Sequence, residues 1–207
     1  TTANDADTNA DNGIATYAPE VGVNTPATKQ INVSWKSQIK GEYWNKINKI
    51  IATDDGGAVA VGWIYQESTN PTITTNGNKD ALIIKYDSKG KIEWFKNYGG
   101  TDDEEFTDVA ISPTSGEFIS VIGNSNSPSW TDVNISNETG YQYGVKLSIN
   151  LDYGSVSGGS IIKSSDDKNA SSDVYMDSVK ADKSGKLYNV ERTGKFGRNE
   201  EIMTHVV

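Results

Sequence analysis

Residues 80–125 read DALIIKYDSKGKIEWFKNYGGTDDEEFTDVAISPTSGEFISVIGNS, and this stretch contains the pattern that predicts the fold. Short apolar runs, such as 81–84 and 118–122, alternate with turns rich in Gly, Asp and Ser. Apolar runs of four to eight residues bounded by turn residues are typical of β-strands. The stretch therefore predicts short strands joined by tight turns.

The same pattern recurs along the chain with a period of about sixty residues, which is the signature of a repeat architecture. Trp35 precedes Gly57 by the same 22 residues that separate Trp94 from Gly116. A more degenerate third copy follows, in which residues 177–190 correspond to 48–61. Further equivalent positions are Ile47, Ile50 and Ile51 with Phe106, Val109 and Ala110, and 57–62 with 116–123.

The last strands of the three copies also correspond, at 80–87, 143–147 and 201–206. Each copy thus offers about four strands, and four antiparallel strands form the blade of a β-propeller. The predicted fold is all-β, with propeller-like blades of four-stranded antiparallel sheets in about three repeats. Because propellers have four to eight blades, we expect an incomplete ring.

The predicted domain boundaries follow the change in composition near residue 30. Residues 1–30 are small and polar, which predicts a flexible leader or linker. Residues 31–207 hold the repeats, divided at about 31–92, 93–153 and 154–207. The best candidate for a helix is 42–52, where Tyr43, Ile47, Ile50 and Ile51 would share a face, but this segment has no clear cap.

Residues 80–125 resemble a family of bacterial secreted or surface β-propeller repeats. In that family a strand ending in Lys-Tyr-Asp, here 85–87, leads through a Gly turn to a Trp and then to a Tyr-Gly-Gly turn, here Trp94 and 98–100. The resemblance extends from residue 31 to the C-terminus. It implies an extracellular or cell-surface protein and implies little about activity.

Composition narrows the range of partners. The formal charge of −9 argues against nucleic acid, which attracts clustered Lys and Arg. No apolar run approaches the roughly 18 residues of a membrane span, so we expect no membrane insertion. The absence of Cys removes thiolate metal sites. The densest acidic run, 102–105, is expected to be a solvated loop tip.

Calcium is the one cofactor that the sequence leaves open, because oxygen-rich side chains are its preferred ligands. Asp5, Asp7, Asn9 and Asp11 alternate like the first ligands of a calcium loop. The sixth position lacks the usual Gly and the twelfth lacks the usual Glu, so a solvated leader is the alternative interpretation.

Three aromatic residues are candidates for ligand binding. Trp63, Tyr65 and Trp130 lie beside the long insertions 66–79 and 124–140, and insertions in a repeat fold collect on one face that often binds. Packing at the edge of a blade is the alternative for all three. Trp35 and Trp94 recur at equivalent positions and are expected to pack between blades. Trp94→Ala should therefore cost about 3 to 5 kcal/mol, whereas Trp130→Ala should leave stability nearly intact.

The sequence favours a non-catalytic extracellular scaffold, adhesion or recognition module. Its expected partners are another protein, further copies of the chain that associate through open blade edges, or a glycan. The alternative is a propeller-type glycoside hydrolase that acts on polysaccharide with two carboxylates. The sequence assigns no catalytic residue, because it identifies no particular pair among 28 acidic residues.

Overall fold

The structure is a computed structural model that describes residues 35–37, 43–66, 74–113, 116–130, 133–137, 141–163, 173–195 and 198–206. The chain divides into two compact units, Thr1–Gln38 and Ile39–Val207. In the first unit only 35–37 are described, and Trp35 is half-buried there. The predicted leader or linker, 1–30, lies outside the described residues.

The second unit is all-β, as predicted, and its described residues form antiparallel sheets. The first sheet has the order β1-β2-β3-β4, the second β5-β6-β9-β10 and the third β11-β12-β13, while β7 and β8 form a small hairpin between β6 and β9. The strands are β1 Tyr43–Ala52, β2 Ala58–Gln66, β3 Lys79–Tyr86, β4 Ile92–Tyr98, β5 Glu104–Ile111, β6 Phe118–Ser125, β7 Ser129–Trp130, β8 Ile135–Ser136, β9 Tyr143–Asn150, β10 Val156–Ile162, β11 Asp173–Ala181, β12 Leu187–Lys195 and β13 Arg198–Val206.

The three sheets span 43–98, 104–162 and 173–206. Each sheet therefore begins later in the chain than the predicted segment that corresponds to it. β4 begins at the end of the first segment, 31–92, and runs into the second, yet it pairs in the first sheet. β10 begins in the third segment, 154–207, and pairs in the second sheet. The sequence repeat gives the length of the repeating unit. It does not show whether the last strand of each copy pairs with its own sheet or with a neighbouring one.

The first strand of every sheet has a β-bulge at the same place. The pairing register shifts between Ile47 and Lys49, between Phe106 and Asp108, and between Met176 and Ser178. The bulged residues are therefore Asn48, Thr107 and Asp177. The sequence alignment makes these three residues equivalent, so the bulges support the predicted repeat.

The bulge explains why residues 42–52 resemble a helix in sequence. This segment is strand β1, in which Ile47 pairs with Gly62 and Ile50 pairs with Ala60. Gly62 and Ala60 are two residues apart on one strand and so share a face. Because of the extra residue in β1, Ile47 and Ile50 lie on the same face although they are three residues apart in the sequence. Apolar residues with that spacing otherwise indicate a helix.

Consecutive sheets pack face to face. One face of the first sheet, with Val59, Val61 and Ile83, lies against Phe106 and residues of the second sheet in one buried core. A smaller core joins the opposite face of the second sheet to the third. Its buried members are Ala110, Ile122, Val174, Met176 and Val179.

Two aromatic residues that the sequence treats differently both belong to the larger core. Trp94 is half-buried against it and donates a hydrogen bond of 2.9 Å from Nε1 to the carbonyl of Leu151, in the second sheet's β9–β10 turn. Trp130 is only 4% exposed and donates from Nε1 to Ser125 Oγ at 2.9 Å. The prediction that Trp130 can be truncated at little cost is therefore wrong, because its ring lies in the core beside Phe106.

Candidate ligand-binding face

Three aromatic side chains lie on one face at the end of the first sheet. Trp44 on β1 pairs directly with Tyr65 on β2, and Trp63 precedes Tyr65 by two residues. Directly paired residues, and alternate residues of one strand, share a face of a sheet. Trp44 is 63% exposed, while Trp63 and Tyr65 are half-buried. We call Trp44, Trp63 and Tyr65 the aromatic face.

A charged pair flanks the aromatic face. Lys79 pairs with Tyr65 across β2 and β3, and its Nζ lies 5.4 Å from the centre of the Trp63 ring, within the range of a cation–π contact. The same Nζ is 3.3 Å from Oδ2 of Asp103. A hydrogen-bond donor and an acceptor are thus held beside the aromatic rings.

Loops from two sheets meet next to this pair. The backbone N–H of Asn78 donates to the carbonyl of Asp102, and that of Asn126 donates to the carbonyl of Asp103, each at 3.1 Å. The N–H of Asp102 donates to Ser127 Oγ at 2.8 Å. These bonds fix the predicted insertions of the first and second sheets to the connection between β4 and β5.

The repeat shows that the fold does not need the aromatic face. The position of Trp44 is taken by an Asp in both other sheets, and the positions of Trp63 and Tyr65 are also non-aromatic there. Because the same strand pairing forms without aromatic rings in the other two sheets, the pairing itself does not require them. The equivalent residues are Asp103, Asn124 and Asn126 in the second sheet, and Asp173, Arg192 and Gly194 in the third.

Two buried carboxylates lie close to Gly99, near the loops. A Cβ added at Gly99 would lie 2.4 Å from Glu104 Oε2 and 2.8 Å from Asp80 Oδ1. Asp80 is fully buried and Glu104 is 2% exposed, so the expectation of a solvated tip at 102–105 is wrong for Glu104. Burial raises the pKa of Glu104 above its ordinary range, and the nearby charge of Asp80 acts in the same direction.

Protein donors engage both of these carboxylates. Asp80 accepts hydrogen bonds from Asn97 Nδ2 at 2.7 Å and from the N–H of Asn76. Glu104 accepts hydrogen bonds from the N–H of Gly100 at 2.7 Å and from Ser125 Oγ at 2.8 Å. The arrangement holds the connection between β4 and β5 in place and leaves neither carboxylate at the surface.

A second acidic pair is bound to a buried lysine at the opposite end of the first sheet. Lys85 is 2% exposed, and its Nζ lies 2.6 Å from Asp55 and 2.9 Å from Glu93. Hydrogen bonds from Lys85 and Thr53 lower the pKa of Asp55 to about 2. Burial opposes the charge of Lys85, but hydrogen bonds to the two carboxylates raise its pKa nonetheless. This group closes the turn between β1 and β2.

The structure brings together some of the residues singled out in the sequence and separates others. Trp63 and Tyr65 lie side by side, whereas Trp130 is buried elsewhere. Trp44 was not among the predicted site residues, because 42–52 was the best candidate for a helix and was not assigned to a strand that pairs with β2. The repeat alignment contains the missing signal, since the shared bulge fixes the register that places Trp44 opposite Tyr65.

The proposed calcium ligands Asp5, Asp7, Asn9 and Asp11 lie outside the described residues. Within the described ranges, no group of three or more His, Asp or Glu side chains is arranged to hold a metal ion. Nor do those ranges contain a helix long and apolar enough to cross a membrane. Comparison of the chain with protein-family models and with curated proteins found no match.

Proposed function

We propose that the protein is a non-catalytic extracellular recognition module that binds glycan on the aromatic face. The observation that carries the proposal is the exposure of Trp44, 63%, beside two further aromatic rings that the repeat does not require. Aromatic side chains combine a large apolar surface with a polar handle. Sugars present apolar C–H faces and polar hydroxyls, and Lys79 and Asp103 would bind the latter.

The charge of the chain favours neutral glycans as ligands. At −9 the protein repels polyanions such as sulfated or uronic-acid polysaccharides, except where cations cluster locally. On the aromatic face Lys79 is paired with Asp103, and the exposed Lys46, which pairs directly with Trp63, adds a single positive charge rather than a cationic cluster. Neutral hexose or pentose polymers are therefore the expected class.

The arrangement of carboxylates supports binding rather than hydrolysis. A glycoside hydrolase needs two carboxyl groups that reach opposite sides of one glycosidic bond. The pair formed by Asp80 and Glu104 is buried, and the pair formed by Asp55 and Glu93 is bound to Lys85. An extracellular or cell-surface location belongs to the proposal through the resemblance of 80–125 to secreted propeller repeats.

The test is calorimetric titration of the protein with neutral polysaccharides, such as mannan, xylan and mixed-linkage glucan. We expect one of them to bind, and Trp44→Ala to weaken that binding at least about tenfold because a stacked ring is lost. Tyr153→Ala is the matched control, since Tyr153 is 73% exposed in the turn between β9 and β10. The proposal fails if no neutral polysaccharide binds, or if both variants bind as the unaltered protein does.

A further inference from the structure

Equivalent apolar side chains on the first strands of the three sheets differ sharply in how exposed they are. Two apolar positions, one on each side of the bulge, are shared by β1, β5 and β11. In β1 these residues are Ile47, 41% exposed, and Ile50, 55% exposed. Their equivalents are Phe106 and Val109 in β5 and Met176 and Val179 in β11, and all four are at most 1% exposed.

Consecutive first strands are joined by contacts that recur from one sheet to the next. The side chain of each bulged residue donates a hydrogen bond to the carbonyl of the residue just before the bulge in the next sheet. Asn48 Nδ2 donates to the carbonyl of Phe106 at 2.8 Å, and Thr107 Oγ1 donates to that of Met176 at 2.7 Å. Asn48 Nδ2 also lies 3.4 Å from Oε2 of Glu105. The bulged residue of one sheet thus faces the residue two positions before the bulge in the next.

The strands at the two ends of this series, β1 and β11, carry oppositely charged residues at the positions that would meet if another copy continued the series. β11 ends the series in the described residues, and its bulged residue is Asp177, whose side chain is 37% exposed and already accepts hydrogen bonds from Nε and Nη2 of Arg192 at 2.6 and 3.1 Å, so a cation facing it would share this carboxylate with Arg192. β1 begins the series, and two residues before its bulge it carries the exposed Lys46. If β11 met another first strand as β1 meets β5, Asp177 would face a residue equivalent to Lys46 and Glu105.

We propose that two copies of this chain associate head to tail, with β11 of each copy against β1 of the other. Asp177 then pairs with Lys46 across both joins, and Ile47 and Ile50 become covered as their equivalents are. Two identical joins related by a two-fold axis close the assembly. The described residues of the pair contain six sheets of three or four strands, within the four to eight blades of known propellers.

The first measurement is sedimentation equilibrium of the unaltered chain across about a hundredfold range of protein concentration. We expect a transition from 22.4 kDa to twice that mass. A mass of 22.4 kDa throughout would overturn the proposal, and so would growth beyond the pair, because open head-to-tail contacts form filaments.

Charge reversal tests which strands meet. Lys46→Asp alone and Asp177→Lys alone each place like charges at both joins, and each should weaken dimerisation at least about tenfold. An equimolar mixture of the two variants has opposite charges at both joins and should dimerise as the unaltered chain does. No recovery in the mixture, or no effect of either single change, would overturn the head-to-tail contact.

A second pair of variants keeps the test decisive if Asp177→Lys disturbs the fold through Arg192. Ile50→Ser should weaken dimerisation, because Ile50 lies at the join. Tyr153→Ser removes a side chain of greater exposure, 73%, in the turn between β9 and β10, outside the strands proposed to meet, and should have no effect. Equal effects of the two changes would show non-specific association and would contradict the proposal.

Discussion

Strands β1 and β5 have the same pattern of residues and lie in different surroundings. Each carries a bulge, at Asn48 and at Thr107, with an apolar residue before it. Ile47 is 41% exposed and its equivalent Phe106 is fully buried, because the first sheet packs on β5. Local sequence therefore sets the shape of the strand, and the neighbouring sheet sets how much each side chain contributes to stability.

The largest expected effect is the loss of a ring from the core between the first two sheets. Phe106→Ala should lower the free energy of unfolding by about 3 to 5 kcal/mol, and Trp130→Ala by a similar amount, as for other large aromatic deletions. Ile47→Ala, the matched change on β1, should cost less, about 1 kcal/mol, because Ile47 is already 41% exposed. Urea denaturation measures all three, and equal costs for Phe106 and Ile47 would refute the comparison.

The next effect concerns the residue opposite each bulge. A Cβ at Gly123 would lie 1.9 Å from the carbonyl oxygen of Glu105, and one at Gly62 would lie 1.8 Å from that of Lys46. Gly123→Ala should therefore cost about 1 to 3 kcal/mol, as forced overpacking does. Gly158→Ala is the control, because a Cβ there meets nothing within 4 Å. Thermal unfolding in which the two variants match would argue against the close approach at the bulge.

A smaller effect is expected at the bulge itself. Thr107→Val keeps the shape of the side chain and removes the hydroxyl that bonds to the carbonyl of Met176 in the next sheet. The loss should be about 0.5 to 1.5 kcal/mol, the usual net value of one hydrogen bond. Ser157→Ala removes a hydroxyl that bonds only within the second sheet, at an exposed site, and should cost less. The reverse order would contradict an inter-sheet role for Thr107.

The smallest effect lies in the turn that follows β1. Asp55 has a pKa of about 2 in the folded protein, below the value of about 4 for an unfolded aspartate. A lowered pKa stabilises the fold above pH 4, and that contribution is lost as the pH falls from about 4 to about 2. Asp55→Asn should flatten the fall in stability across this window, measured by denaturation at several pH values. Asp54→Asn, at the exposed neighbouring position, should retain the full dependence.

The sequence predicts the repeat, the sheets and part of the aromatic face, because these depend on local patterns of apolar and turn residues. Trp63 and Tyr65 were singled out because they precede a long insertion, and the structure places both inside β2 rather than after it. The burial of Trp130 and Glu104 was not predicted, since both are covered by residues distant in the sequence. An acidic or aromatic residue beside a loop has the same local signature whether the loop folds over it or exposes it.

Hydrogen exchange at one amide tests most directly the claim that consecutive sheets are joined through their first strands. The N–H of Val179 in the third sheet donates to Oδ2 of Asp108 in the second at 3.0 Å. We predict by NMR that this amide is protected, and that Asp108→Ala speeds its exchange at least about tenfold while the Met176 amide, which donates to Asn124, keeps its protection. An unchanged rate at Val179 would contradict the inter-sheet contact and, with it, the joining of the second and third sheets through their first strands.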